Sequence, residues 1–192
     1  YIIQAKKENK GILLIGLHFL TLELGARIFG ILNPGIGVYR PNNNLLIDWL
    51  QTRGRLRSNK SMLNRSDIKG IVRALKNGET IWYAPDHDYG HKNSIFVPLF
   101  AVSHAATTIG THKLAKITKP AIIPFIPYRL PNALGYELRI LPEEKKIPLA
   151  KDIETVTYVN KIIEQLILIA PDQYMWLHRR FKTRPYGDPP LY

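Results

Sequence analysis

The feature that most constrains how this chain folds is an alternation of compact apolar runs with segments of helical spacing. Ile12 to Leu17 is an unbroken apolar run ending at His18, and it predicts a buried strand. Leu20, Leu24, Ile28 and Ile31 then recur at helical spacing, and Leu20 to Leu32 is expected to be a helix stopped by Asn33-Pro34-Gly35. Gly37 to Arg40 predicts a short strand before Pro41, and Asn44 to Thr52 a helix carrying Leu45, Ile47, Trp49 and Leu50. Ser66 is expected to cap a helix with Ile68, Ile71, Val72 and Leu75, closed by Asn77-Gly78. Thr80 to Ala84 predicts a strand, followed by a polar loop from Pro85 to Ser94. Ala105 to Thr118 reads as a helix. Ala121 to Pro127 reads as a strand whose prolines should place it at an edge or end it early. Tyr136 to Leu141 alternates as a strand does, and Asp152 caps a long helix to Ile169. Strands alternating with helices predict an α/β fold, one mixed sheet with helices packed on it.

At 192 residues the chain fits one domain, spanning 1–192. With 45% hydrophobic and 22% charged residues, disorder is excluded. The lack of cysteine excludes a disulfide framework and a thiolate metal site. The net charge of +12 asks for an acidic partner: nucleic acid, an anionic bilayer, a phosphorylated substrate or an acidic protein. No apolar run reaches the 18 residues or so needed to span a bilayer, and there is no signal peptide. The chain opens Tyr1-Ile2-Ile3-Gln4 without methionine and is expected to be the inner portion of a longer protein.

Four segments carry candidate chemistry. His18 and Glu23 are five positions apart, which on a continuous helix puts them about 140° apart. They meet only if His18 precedes the helix and Glu23 lies in an early turn. A carboxylate on one imidazole nitrogen would fix the tautomer and leave the other nitrogen as a general base. A chance pairing is the plainer reading of that spacing. Asp86-His87-Asp88 follows a strand end, where α/β proteins place ligands; it reads as a solvated turn, a metal site or a substrate contact. Arg53, Arg55, Arg57 and Lys60, with Gly54, Ser58 and Asn59, suit phosphate or a charged surface loop. The aromatic interleaving of a nucleic-acid surface is missing there. Ala121 to Arg129 is an apolar, proline-bearing core strand.

The order of these four segments resembles the glycerolipid-type acyltransferase superfamily. That superfamily has a His-x4-Asp/Glu block, an arginine-bearing block, a Pro-Glu/Asp block after a strand, and an apolar block with proline. Within it, Leu17 to Gly25, Arg57 to Met62, Tyr83 to Gly90 and Trp176 to Pro185 closely resemble the late acyltransferases of lipid A biosynthesis. The resemblance runs from about residue 10 to the C-terminus. It implies a single acyltransferase catalytic domain over 1–192, with the family's N-terminal membrane helix missing from this sequence. Asp86-His87-Asp88 stands where the wider superfamily usually has Glu-Gly-Thr, so glycerol phosphate is not the expected acceptor.

The resemblance implies transfer of a fatty acyl chain from acyl carrier protein to a hydroxyl of a Kdo-bearing lipid A precursor. It implies work at the cytoplasmic face of the bacterial inner membrane, with no cofactor, no metal and no nucleic acid. His18 is then the general base and Glu23 its orienting carboxylate. Arg55, Arg57, Asn59, Lys60, Asp86, His87 and Asp88 are then the substrate-binding residues, Arg55 first among them for the oxyanion. Lys6, Lys7, Lys10, Arg179, Arg180, Lys182 and Arg184 are candidate contacts to the acidic carrier protein or lipid. Two other readings stay open: a metal-dependent hydrolase using Asp86, His87, Asp88 and His91, and a non-catalytic basic module for membrane or nucleic acid.

Overall fold

A computed structural model of the chain describes residues 1–143 and 146–192. Its centre is β1 (Ile12–Ile15), four residues with no solvent exposure. Parallel neighbours on both sides explain why that run shows no polar alternation: a strand buried on both faces reads as continuously apolar. On one side lies β4 (Thr80–Tyr83), in register Ile12↔Thr80 through Ile15↔Tyr83. On the other lies β7 (Ala121–Arg129). Beyond β4 come β2 (Ile36–Tyr39) and β3 (Ser61–Asn64), both parallel, and β8 (Tyr136–Ile140) closes the far side antiparallel to β7. The six-stranded order is β3-β2-β4-β1-β7-β8, the expected mixed sheet.

Helices cover both faces. Leu13 and Ile15 point into a cluster shared with α4 (Ile68–Lys76), α5 (Gly110–Thr118) and α6 (Asp152–Ile169). Ile12 and Leu14 point the other way, against Ala5 of α1 (Ile2–Lys7) and Phe29 of α2 (Leu22–Leu32). Each such fully buried aliphatic side chain is worth roughly 1.5–3 kcal/mol. The remaining helix, α3 (Leu45–Arg55), has no buried residue.

Three expectations are corrected. The segment expected as one helix from Ala105 begins as a strand: β5 (Ser94–Leu99) and β6 (Val102–Thr108) form a separate two-stranded antiparallel sheet, and α5 starts only at Gly110. Ala105 to Thr108 are all buried, so the period-2 signal of a strand is erased. The proline-bearing strand β7 neither lies at an edge nor ends early. It changes partner instead: residues 121–124 pair with β1 and residues 125–129 with β8. Pro124 sits at the changeover, where its missing N–H is least costly. Asp67, rather than Ser66, caps α4, its side chain accepting from the Gly70 N–H at 2.9 Å. Among the described residues, no helix is long and apolar enough to cross a membrane.

Candidate active site

The register of β1 against β4 builds the site. Ile15 lies opposite Tyr83, and each chain runs three residues further before its polar group appears: His18 on one, Asp86 on the other. Two parallel strands leaving the sheet together thus deliver a histidine and an aspartate side by side at the carboxyl ends of the strands. The contact is close. His18 Nδ1 lies 2.8 Å from Asp86 Oδ1, and the His18 backbone N–H donates to Asp86 Oδ2 at 2.9 Å. Asp86 is fully buried and also accepts the Tyr174 hydroxyl at 3.1 Å. Burial alone would raise the Asp86 carboxyl, but hydrogen bonds and charge from His18 outweigh it and hold the carboxyl below its ordinary value. Burial, with the Asp86 charge beside it, pushes the Tyr174 phenol far up, so it remains a donor.

The C-terminal segment locks this geometry. The Met175 N–H donates to the His18 carbonyl, the Leu20 N–H to the Gln173 carbonyl, and Phe19 bridges Tyr174. The same segment brings a third histidine. His87 stacks on His18 with ring centroids 3.8 Å apart, and His178 meets both rings, 4.9 Å from His18 and 4.2 Å from His87. Burial and the neighbouring His18 charge lower His87 to about 4 and also lower His178, so both rings favour the neutral form. Their Nε2 atoms are buried without a hydrogen-bond partner among the described residues.

The expected His18–Glu23 pair is not formed. Glu23 is the second residue of α2, 62% exposed, and it grips Arg55 instead, with Arg55 Nε 3.2 Å from both carboxylate oxygens. The carboxylate that reaches His18 comes from the adjacent strand, a partnership that spacing along the chain does not encode. Asn59 donates its side-chain N–H to the Arg55 carbonyl at 3.0 Å, and Lys60 pairs with Glu79. Glu79 and Lys60 sit where β4 and β3 begin, whereas His18 lies past the opposite end of the sheet, roughly 20 Å away at the rise of a strand. Arg57 is exposed beside α3. Asp88 accepts from the Gly90 N–H at 2.9 Å and the Thr183 N–H at 2.8 Å, which ties the C-terminal segment to the loop. The structure therefore brings His18, Asp86 and His87 together, pairs Glu23 with Arg55, which Asn59 holds through its carbonyl, and leaves Arg57 exposed and Lys60 toward the opposite end of the sheet.

Sequence reading missed Tyr174 and gave His178 no role, although His178 lies inside the Trp176 to Pro185 segment singled out above. It also misplaced two tail arginines as surface contacts. Arg180 is buried, donating to the Ala106 carbonyl at 2.6 Å and Thr107 Oγ1 at 2.7 Å. Arg184 donates to the His104 carbonyl at 2.7 Å.

One ring nitrogen from each of His18, His87 and His178 lies within 4.8 Å of the others, close enough to consider a metal ion. Ligands of one zinc ion aim in-plane lone pairs at a common point about 2.0–2.1 Å away. The rings of His18 and His87 are 13° from parallel, so their lone pairs run alongside each other and do not converge. The arrangement fits an acid–base site better than a ligand set.

An imidazole held by a buried carboxylate at the carboxyl end of a parallel sheet defines a protein equipped to take a proton from a hydroxyl or water. Comparison with known proteins narrows that class. The family model for bacterial lipid A biosynthesis acyltransferases matches residues 1–183, and the chain belongs to that family. It is 62% identical over its whole length to a lipid A biosynthesis lauroyltransferase of Escherichia coli, covering 63% of that protein. It is 54% identical over 93% of its length to a lipid A biosynthesis acyltransferase of Haemophilus influenzae, and 48% identical over 98% to a palmitoleoyltransferase of E. coli. The chain covers 58% and 61% of those two proteins, so it spans about three-fifths of the length of these relatives.

Proposed function

We propose that this chain carries the catalytic centre of a lipid A acyltransferase, moving a fatty acyl group from acyl carrier protein to a hydroxyl of a Kdo-bearing lipid A precursor at the cytoplasmic face of the inner membrane. The observation that carries the reading is the 2.8 Å contact of His18 Nδ1 with the fully buried Asp86. It commits Nδ1 as the N–H donor to the carboxylate and leaves Nε2 to accept a proton. His18 Nε2 takes the proton of the acceptor hydroxyl as its oxygen attacks the thioester carbonyl carbon. The tetrahedral intermediate collapses with loss of the carrier thiolate, which recovers the proton from His18. No enzyme nucleophile is required, in keeping with a chain that has no cysteine and no Gly-x-Ser-x-Gly segment.

Asp86 keeps the imidazole in the right tautomer and balances its transient charge. The half-buried rings of His87 and His178, both favouring the neutral form, pack against the His18 imidazole and hold it in place. Arg55, aligned by Glu23, meets the acceptor's phosphate or acidic sugar, a role that retains Glu23 in the site without a contact to His18. Lauroyl-acyl carrier protein is the first donor to try, given the 62% identical relative.

The test is acyl transfer read by mass spectrometry. His18→Ala should lower turnover by roughly 10²–10⁴. Retained turnover would remove His18 as the base. Asp86 and Asp88, which the metal-hydrolase reading would use as ligands, are engaged by His18 and by the Thr183 N–H, and chelator sensitivity with bound zinc would be needed to move the assignment there.

A further inference from the structure

Helix α3 is built inside out. Its least exposed positions are Asp48, Thr52 and Arg55, spaced along one face, and all three are polar. Asp48 accepts from the Asn42 N–H at 2.7 Å, and Arg55 is held by Glu23. The apolar residues point outward: Leu45 is 83% exposed, Leu46 65%, Leu50 55% and Trp49 53%. A helix bathed in water carries the reverse pattern, with its apolar stripe against the core. Contiguous apolar surface of this kind marks a contact with an apolar phase or partner.

The charge beside it indicates which. Arg53 and Arg57 flank the apolar face, form no ion pair with any described residue, and border an open groove of about 530 Å³ lined also by Tyr39, Leu45, Trp49 and Leu56. The Arg53 guanidinium lies over the Trp49 ring at 5.2 Å. A cation resting on an indole at the rim of an apolar patch suits the zone where lipid phosphates meet acyl chains. The excess of twelve positive charges has the same sign preference. Eleven residues give roughly 16 Å of helix, far short of a bilayer core, so α3 would lie in the plane of the surface.

We infer that α3 is an interfacial docking helix that inserts Leu45, Leu46, Trp49 and Leu50 into an anionic lipid leaflet, with Arg53 and Arg57 at the phosphates. The Arg55–Glu23 bridge ties it to α2, the helix that follows His18, so docking holds the candidate site at the membrane surface. The inference rests on the helix and not on the reaction.

The experiment is cosedimentation of the chain with vesicles of phosphatidylglycerol and phosphatidylethanolamine, against vesicles of phosphatidylcholine alone. Binding should favour the anionic vesicles. The double variant Leu46→Ser/Leu50→Ser should weaken it by about a hundredfold, since each leucine loses most of its transfer free energy. Arg53→Gln/Arg57→Gln should weaken anionic binding alone by about tenfold or more. Acyl transfer to acceptor dispersed in detergent should be unchanged in the leucine variant, which separates failure of docking from failure of the reaction. Equal vesicle binding by wild type and the leucine variant would overturn the inference. So would self-association of the chain abolished by those substitutions, because a second copy would then be the cover.

Discussion

A carboxylate in a dry interior is costly unless its lone pairs are filled, and Asp86 fills its own from His18 twice and Tyr174 once. Removing one of three donors to a buried charge is worth about 1.5–3 kcal/mol, so Tyr174→Phe should lower kcat about tenfold or more and leave KM nearly unchanged. A fall in KM-dependent terms alone would mean that Tyr174 touches substrate instead. Glu23→Gln should act differently: through Arg55 it should raise the KM for acceptor more than it lowers kcat, and a collapse of kcat would restore Glu23 to the histidine. Acidity has a calculable direction. His87 is lowered from 6.5 to about 4 in the folded protein, so between those values the unfolded chain binds more protons. Stability is therefore full above pH 6.5 and falls as pH drops toward 4. Asp86, held below its ordinary value, adds a further loss at still lower pH. Thermal melts across this range should show the decline, and His87→Gln should flatten it; a flat wild-type profile would contradict the stacked, half-buried ring. His18 and Asp86 were both visible in the sequence as polar residues just past strand ends. Their partnership was not, because it depends on β1 lying beside β4 in a register that local spacing does not reveal.

Elements were legible where large apolar residues mark them, as a run or at helical spacing. β1, α2, α3, α4 and α6 carry strong apolar patterns, and their positions match the expectation closely. The pattern failed where the buried residues are small or the strand lies at the sheet's edge. β6 ends in four buried small residues that read equally well as helix, and β3 is four residues at the sheet's edge. β7 shows that a local rule can be satisfied by topology: its prolines are tolerated because no stretch of it has paired partners on both sides. The seating of α2 rests on close approach. A Cβ on Gly30 would lie 2.4 Å from the Ser58 carbonyl oxygen, a backbone atom that cannot swing aside. Gly30→Ala should therefore destabilise the protein by about 1–3 kcal/mol in denaturant titration, despite the better helix propensity of alanine. A neutral or stabilising result would mean that α2 and the Ser58 loop are not packed this tightly.

At the scale of the whole molecule, five of the arginines fall into three uses. Arg180 and Arg184 are spent inside, holding the C-terminal segment to β6, and Asp88 fastens the same segment from the other side. Arg55 belongs with Glu23 near the start of α2, and Arg53 and Arg57 remain outward beside an apolar face. Composition alone asks for an acidic partner; only the fold separates structural arginines from those free to meet one. Truncating the buried guanidinium leaves two acceptors unpaired, so Arg180→Ala should cost about 2–4 kcal/mol of stability and loosen the segment that carries Tyr174 and His178. Unchanged denaturant unfolding would contradict that structural role. The decisive measurement is acyl transfer from lauroyl-acyl carrier protein to a Kdo-bearing lipid A precursor, followed by mass spectrometry for wild type, His18→Ala and Asp86→Asn. A gain of one acyl mass in wild type, with rates roughly 10²–10⁴ lower in both variants, is the predicted result. Transfer that persists in Asp86→Asn at the wild-type rate would contradict the His18–Asp86 pair as the centre of the chemistry.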